Sequence, residues 1–300
     1  MATTRSSALD PRTLAAHFVQ GLLMGAADSV PGVSGGTVAF IVGIYDSLIS
    51  SIGNGFHGVI ALIRFDKRSA RQRLSQVEWT LIVPLVLGIG TAIVVAAGIV
   101  LDVLDRYPEG ARALFLGMVG ASVLVPWKRI LHMTRRTWIL AATGTVVAFI
   151  LSGLPPGTVS DPTAVAIFAS AMVAICAMIL PGVSGAFLLL VLGMYEPTLD
   201  AVHNRDLGYV VTFGAGAAIG LGSFSLLLGA SLRRFHDETM AVLVGLMLGS
   251  LRALWPWQTD TRALLSPDSA GDALTMLVVA VVGFGLVFAL ERWGSKRPPV

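Results

Sequence analysis

The chain has 300 residues, 55% of them hydrophobic and only 13% charged, with a mean hydropathy of +0.78; a soluble surface needs roughly 25% charged residues, so a pair of soluble domains is excluded and a membrane-embedded chain is implied. The net charge of +3 sits in loops between apolar runs and reports topology rather than nucleic-acid binding. The single cysteine, Cys176, excludes an intramolecular disulfide framework and a thiolate metal cluster.

Several apolar runs reach about 20 residues, enough to cross a ~30 Å hydrocarbon core as helix. They are continuous, without the alternation of an outer-membrane barrel, so helices are the expected spanning element. In chain order, residues 1–12 form a polar tail. Residues 13–52 read as a broken apolar hairpin, followed by a basic loop over 53–78 and spans near 79–101, 112–127 and 137–153. A linker at 154–162 leads to a second hairpin, 163–199, spans near 208–230, 239–255 and 272–290, and a tail at 291–300. A cleaved leader is the alternative for the N-terminus; it is set aside because that segment takes part in an internal repeat.

The repeat is the most informative feature. Pro31-Gly32-Val33-Ser34-Gly35 recurs as Pro181-Gly182-Val183-Ser184-Gly185, and at the same offset of 150 Gly43-Ile44-Tyr45-Asp46 matches Gly193-Met194-Tyr195-Glu196. Gly117 and Ser122 then match Gly245 and Ser250 at an offset of 128, with Pro126-Trp127 and Pro256-Trp257 nearby. The offset changes because the first half carries the basic insertion around Arg64 to Arg73.

Short segments interrupted at Pro-Gly and Ser-Gly, at corresponding places in two halves, fit re-entrant helices around a transport site. Two short full spans joined by a tight turn are the alternative; either returns the chain to its starting side. With both termini cytoplasmic, sixteen of the twenty-one Lys and Arg fall on the inner side, including Arg64, Lys67, Arg68, Arg71 and Arg73. Each half then crosses an odd number of times. The expected fold is an all-α polytopic membrane protein of two inverted-topology repeats, each a re-entrant helical hairpin followed by three transmembrane helices.

Non-helical backbone at membrane depth must line a cavity or be satisfied by protein. Past the helix-breaking Pro31 and Pro181, Gly32, Ser34, Gly35, Gly36 and Thr37, with Gly182, Ser184 and Gly185, offer backbone and hydroxyl donors at the start of a helix, where an anion is favoured. Phosphate and carboxylate both fit. Close helix packing is the competing role for such Gly-Ser turns.

Met24 through Thr37, the second Pro-Gly-Val-Ser-Gly leading to Gly193-Met194-Tyr195-Glu196-Pro197, and Gly249-Ser250-Leu251-Arg252-Ala253-Leu254-Trp255-Pro256-Trp257 together resemble the PopT-type polyprenyl-phosphate transporter family. The resemblance spans about 13–290. It implies translocation of undecaprenyl phosphate from the outer to the inner leaflet of the bacterial cytoplasmic membrane, for reuse of the carrier in envelope synthesis, by a transporter rather than an enzyme. Its partners would be the bilayer and the polyprenyl-phosphate lipid, with no cofactor and with proton or other ion coupling left open. The second turn carries Ala186 and Phe187 where the first has Gly36 and Thr37, an asymmetry between the two loops.

Among the charged residues, Asp28 lies beside the first turn, where it either couples transport to protons or caps the turn. Asp46 and Glu196 occupy equivalent places after a tyrosine, as headgroup contacts or solvated interfacial acids. Arg252, beside Trp255 and Trp257, either receives an incoming phosphate or snorkels in an aromatic belt. Lys128 and Arg129 are positive-inside anchors or inner headgroup contacts. Two other readings are weighed: an ion-coupled transporter of a small soluble anion, and an intramembrane serine protease built on the Gly-Val-Ser-Gly strings, for which only His17 offers a base.

Overall fold

The computed structural model describes residues 10–28, 34–259 and 261–294. In the first half it forms α1 (Pro11–Asp28), α2 (Gly35–Ile41), α3 (Tyr45–Ile63), α4 (Lys67–Leu74), α5 (Trp79–Arg106), α6 (Pro108–Ser122), α7 (Leu124–Arg129) and α8 (Arg135–Leu151). The second half forms α9 (Ala164–Ile179), α10 (Gly185–Val191), α11 (Tyr195–His203), α12 (Leu207–Arg234), α13 (His236–Ser250), a 3-10 turn (Leu251–Leu254) and α14 (Ala270–Gly294). Among the described residues the extended pairing is one isolated bridge, Gln258 to Leu264.

Local chemistry sets the breaks. Ser34 and Ser184 cap α2 and α10, Thr163 caps α9 and Asp206 caps α12, each side chain accepting a backbone N–H of the first turn. Both short helices end in the same way. Gly43 (φ 77°) and Gly193 (φ 71°) adopt the left-handed conformation, while the next residues, Ile44 and Met194, donate back to Ala39 and Leu189. That is a Schellman ending, and it explains why glycine recurs at the offset of the repeat. The chain then bends sharply, by 106° between α10 and α11.

Glycines mark where long helices touch. Gly21 and Gly25 lie against Leu85 and Ile89, so α1 and α5 run side by side in the same direction; Gly216 and Gly220 lie against Phe168 and Met172, so α9 and α12 do likewise. Gly245 and Gly249 meet Ala141 and Thr145, joining α13 to α8, and Gly117 meets Ala280, joining α6 to α14. Added methyls would overlap neighbouring backbone at these crossings, the close approach that small residues permit between helices in a membrane. Matching helices therefore make matching pairs. Two pairs lie within the halves and two join one half to the other.

Among the described residues three helices are long and apolar enough to cross a membrane, 108–129, 207–234 and 270–289, or five if each of two bent pairs counts as one span. The outer faces of α8 and α14 expose Val146, Ile150, Leu274, Leu277, Val281 and Leu286, a surface suited to lipid and not to water. Buried Phe40, Tyr45, Ile49, Leu85, Ile179, Leu228 and Leu243 form a core shared by both halves.

The structure differs from expectation in the 53–78 stretch. Instead of a loop, α3 continues to Ile63 and α4 carries Lys67, Arg68, Arg71 and Arg73. Asp66 caps α4 through Ser69, holding its carboxylate below the usual range, and Leu74 packs over Gly58. The polar patterning was real; its short helical period, bounded by Phe65 (φ 60°), was hidden among the charges.

Candidate functional site

The start of α2 meets the end of α9 and the second turn. Pro31 and Gly32, two of the expected site residues, lie outside the described residues, which resume at Ser34. Ser34 Oγ donates to the carbonyl of Met178 at 3.0 Å, with that of Leu180 at 3.3 Å. The Tyr45 hydroxyl donates to the Ile179 carbonyl at 3.1 Å, and Gly182 N–H donates to Thr37 Oγ1 at 2.9 Å. A Cβ on Gly36 would stand 2.6 Å from the Ile179 carbonyl oxygen, so glycine is what lets α2 approach the end of α9. Side chains of the first half thus satisfy backbone groups that the second turn leaves unpaired.

The donors that sequence reasoning aimed at an anion are held by the protein in this conformation. Gly35 N–H donates to Asp28 Oδ1 at 2.7 Å and Gly36 N–H to Ser34 Oγ at 3.1 Å. The Asp28 carboxylate caps α2, occupying the position at a helix N-terminus that favours an anionic oxygen. Ser34 and Thr37 are buried, and Asp28 is half-buried.

The second turn is built differently. Gly182 has φ 82°, a conformation that glycine adopts without strain, and a Cβ there would lie 2.7 Å from Met247 Cα and 2.9 Å from Ser250 Oγ. Ser184 Oγ accepts only a longer bond, 3.3 Å, from Phe187 N–H. Pro181 and Gly185 are buried beside it, Gly185 against the Ala174 carbonyl. A cavity of about 30 Å³ lies among Gly182, Ser184, Phe187, Ser152 and Ser250. That is room for one or two waters, with 10–15 Å³ as the rough minimum for one. Ala186 and Phe187 leave this turn without a counterpart of the Thr37 hydroxyl, which is why the two turns are not interchangeable.

Arg252 and Glu196 fall elsewhere. Arg252 Nη1 donates to the Phe149 carbonyl at 3.3 Å, its guanidinium lies 4.6 Å from the Phe149 ring centre, and its Nε is buried without a hydrogen-bond partner. The structure does not bring Glu196 to the turns. The bend at Gly193 carries it away into a cavity of about 520 Å³ whose walls include Asp200, Asp206 and Tyr209. Three carboxylates in one cavity disfavour an anion there. Asp46, its counterpart, pairs with Arg129 at 2.8 Å, and Arg129 also lies 5.0 Å from the Phe40 ring centre.

Three side chains at or near the turns escaped the sequence reading. Tyr45 enters the sequence reading only as part of the repeat, yet its buried hydroxyl ties the halves together, whereas its repeat partner Tyr195 is exposed. Arg262 stacks 4.3 Å from the centre of the Phe187 ring, and Arg112 Nη1 donates to the Pro256 carbonyl at 3.2 Å. Both arginines come from segments without a motif. On the opposite end, Asp237 accepts the N–H groups of Leu131 and His132, at 3.0 and 2.9 Å. Those bonds, with His236, hold its carboxylate at about 2. His17 bonds Gln20, while Ser34 bonds main chain, so no serine–histidine pair forms at the first turn among the described residues.

The profile of a family described as VCA0040-like, undecaprenyl phosphate translocase-like, matches residues 24–271. The chain belongs to this family. A polyprenyl-phosphate transporter of Vibrio cholerae serotype O1 is 39% identical over 302 residues, covering 93% of this chain and 96% of that protein. A polyprenyl-phosphate transporter of Staphylococcus aureus is 25% identical over 295 residues, covering 92% and 95%. No solved structure matches the chain. The family match covers both turns, so the resemblance read from their residues and the family agree.

Proposed function

We propose that this membrane protein translocates polyprenyl phosphate, in the sense of undecaprenyl phosphate, from the outer to the inner leaflet of the bacterial cytoplasmic membrane by alternating access. The observation that carries the reading is the junction of the two Pro-Gly-Val-Ser-Gly turns, at which Ser34, Thr37 and Tyr45 of one half bond the backbone of the other. Two relatives named as polyprenyl-phosphate transporters support the substrate class. The inverted arrangement is supported by matching helix pairs, which a pseudo-two-fold axis in the membrane plane would generate. On this reading both termini are cytoplasmic and the basic α4 and α7 face inward, leaving the 154–162 linker and the 255–269 loop outside.

The mechanism follows from what occupies the first turn. The lipid tail stays in hydrocarbon, and only the headgroup, with about −1 to −2 charge, needs a polar route. Gly35 N–H is already bonded to a carboxylate. A phosphate oxygen takes over that bond when Asp28 is protonated or swings aside, since two anions cannot share one helix end at low dielectric. Asp28 is thus cap and proton carrier in turn, and Gly36, Ser34, Gly182, Ser184 and Gly185 supply the remaining polar surface once the turns part. No bond of the lipid breaks and no metal or organic cofactor has a role.

The test is transbilayer movement of undecaprenyl phosphate in proteoliposomes of the purified protein, against empty liposomes and the Ser34→Ala/Ser184→Ala double variant. Movement that depends on the intact turns supports the reading. Absence of movement with and without a proton gradient rejects it in favour of a small soluble anion.

A further inference from the structure

Among its described residues, the loop after the 3-10 turn is braced by hydrogen bonds and carries a cation against an aromatic ring. Gln258 Nε2 donates to the carbonyls of Arg252, Ala253 and Trp255, at 3.3, 3.1 and 2.6 Å. Trp255 Nε1 donates to Leu265 O at 3.0 Å, Leu265 N–H returns to Trp257 O at 2.9 Å, and the Thr259 hydroxyl accepts from Ala263 N–H at 2.9 Å. This frame fixes Arg262 at φ 64°, a left-handed conformation uncommon for a non-glycine residue. The result is a guanidinium laid on Phe187, three residues past Ser184, at the edge of the small cavity behind the second turn.

Its surroundings do not suit a resting cation. Burial lowers the Arg262 pKa, and the positive charge of Arg112 adds to that effect. Among the described residues no carboxylate pairs with either arginine; Glu109, one turn before Arg112, makes no ion pair with it. On the same side Arg252 keeps a buried Nε without a partner. Arg262 and Arg112, which repel each other, are stabilised by an anion that both can reach, and planar arginine forks match phosphate oxygens.

We propose that Arg262, with Arg112 behind it, is the receptor for the phosphate headgroup of the incoming lipid on the side of the 255–269 loop, and that the headgroup lifts Arg262 off Phe187 to reach the second turn. Phe187 closes that turn in the present conformation, so the same contact is both receptor and lid. Arg252 completes the charge at the rim. The inference rests on the substrate class proposed above, but it assigns a step that the turns alone do not explain: how an anion is drawn to a turn with only a water-sized space beside it.

The test measures binding and transport separately. Farnesyl phosphate is titrated into detergent-purified wild type, Arg262→Gln, Arg112→Gln and the charge-conserving Arg262→Lys, and undecaprenyl phosphate movement is followed in proteoliposomes at varied lipid load. Arg262→Gln should raise the dissociation constant and the half-saturating load about 10-fold or more, the scale of one charge-assisted arginine–phosphate interaction, with a smaller change in maximal rate. Arg262→Lys should recover part of the loss. Wild-type affinity should fall with added salt, and the dependence should flatten in Arg262→Gln. Competition by millimolar inorganic phosphate would assign the site to the bare phosphate group, and its absence to the headgroup together with the first isoprene units. Unchanged affinity and salt dependence in Arg262→Gln protein that unfolds at the wild-type temperature would overturn the proposal, as would a fall in maximal rate with affinity intact. If wild type moves no lipid, the functional reading fails, while the farnesyl phosphate titration still decides the role of Arg262.

Discussion

Ser34→Ala is the sharpest single test of the central junction, because its two repeat-related serines are predicted to differ. Ser34 Oγ accepts from Gly36 N–H at 3.1 Å and donates to the Met178 carbonyl at 3.0 Å. Removing the hydroxyl deletes an N-cap, worth about 1 kcal/mol, and leaves a buried carbonyl with one fewer donor, worth about 1–3 kcal/mol more. The sum is about 2–4 kcal/mol, and no water has access, since Ser34 is 0% exposed. Ser184 holds only a 3.3 Å bond to Phe187 N–H, so Ser184→Ala should cost about 0.5–1 kcal/mol. Thermal unfolding of the purified variants in one detergent reads the difference, and membrane insertion should be normal for both. Transport should fall in Ser34→Ala even at temperatures where the protein stays folded, since the turn that shapes the headgroup site loses its cross-strut. Equal unfolding temperatures for the two variants would refute the reasoning, because they would mean that the cross-half bond carries no energy.

Thr37→Val should destabilise by about 1–3 kcal/mol through the orphaned Gly182 N–H, whereas Thr37→Ser should remain near wild type, both read by the same unfolding assay. Gly117→Ala should disrupt the α6–α14 crossing, where the methyl would overlap the Ala280 carbonyl, while Gly120→Ala, with nothing within 4 Å, should be neutral or stabilising; loss of folded yield in both alike would count against the packing argument. Asp28→Asn should abolish any dependence of transport on the proton gradient, measured with and without an uncoupler, and gradient dependence that survives in the variant would remove Asp28 from the coupling role. Asp237→Asn should lower stability at neutral pH. Because the folded carboxylate titrates lower than its ordinary value, that advantage exists above about pH 4 and is lost as pH falls toward 2, so the wild-type and variant unfolding temperatures should converge over that interval.

The repeat made the layout readable, because the residues it preserves do backbone work that few others can do. Gly43 and Gly193 end α2 and α10 in the same left-handed turn, and Ser34 and Ser184 start them with the same cap. Such constraints are local, so spacing along the chain records them. Partnerships across the halves leave no local trace. Tyr45 and Tyr195 are identical in type and offset, yet one hydroxyl is buried against Ile179 and the other residue is exposed. Glu196 shared the pattern of Asp46, but the bend after α10 sends it into an acidic cavity while Asp46 meets Arg129. Arg262 was invisible for a related reason: a lone arginine in a polar loop has no period, and only the folded loop lays it on Phe187.

The asymmetry between the turns also bears on how an inward-directed transporter would use its substrate. A ligand shifts a conformational equilibrium only by as much as it prefers one state. Around the first turn the protein supplies its own anion, Asp28, so phosphate there must replace a bond that already exists and gains little beyond exchange. Around the second turn the protein supplies cations with no anion described beside them, so phosphate adds charge-assisted bonds absent from the closed state. In the cycle proposed above, the favourable differential therefore lies on the side of Arg262 and Arg252, where it would favour opening toward the incoming lipid. On the other side the contacts include the Arg129–Asp46 pair, whose side chains are 33% and 62% exposed, and exposed pairs of this kind contribute about 0–1 kcal/mol. In the proposed cycle, that end would need little energy to part after the headgroup reaches the first turn. Tight capture at the loop and easy release at the basic end thus shape the barriers of the two proposed steps, while the gradient of lipid, or of protons where Asp28 couples, sets the net direction.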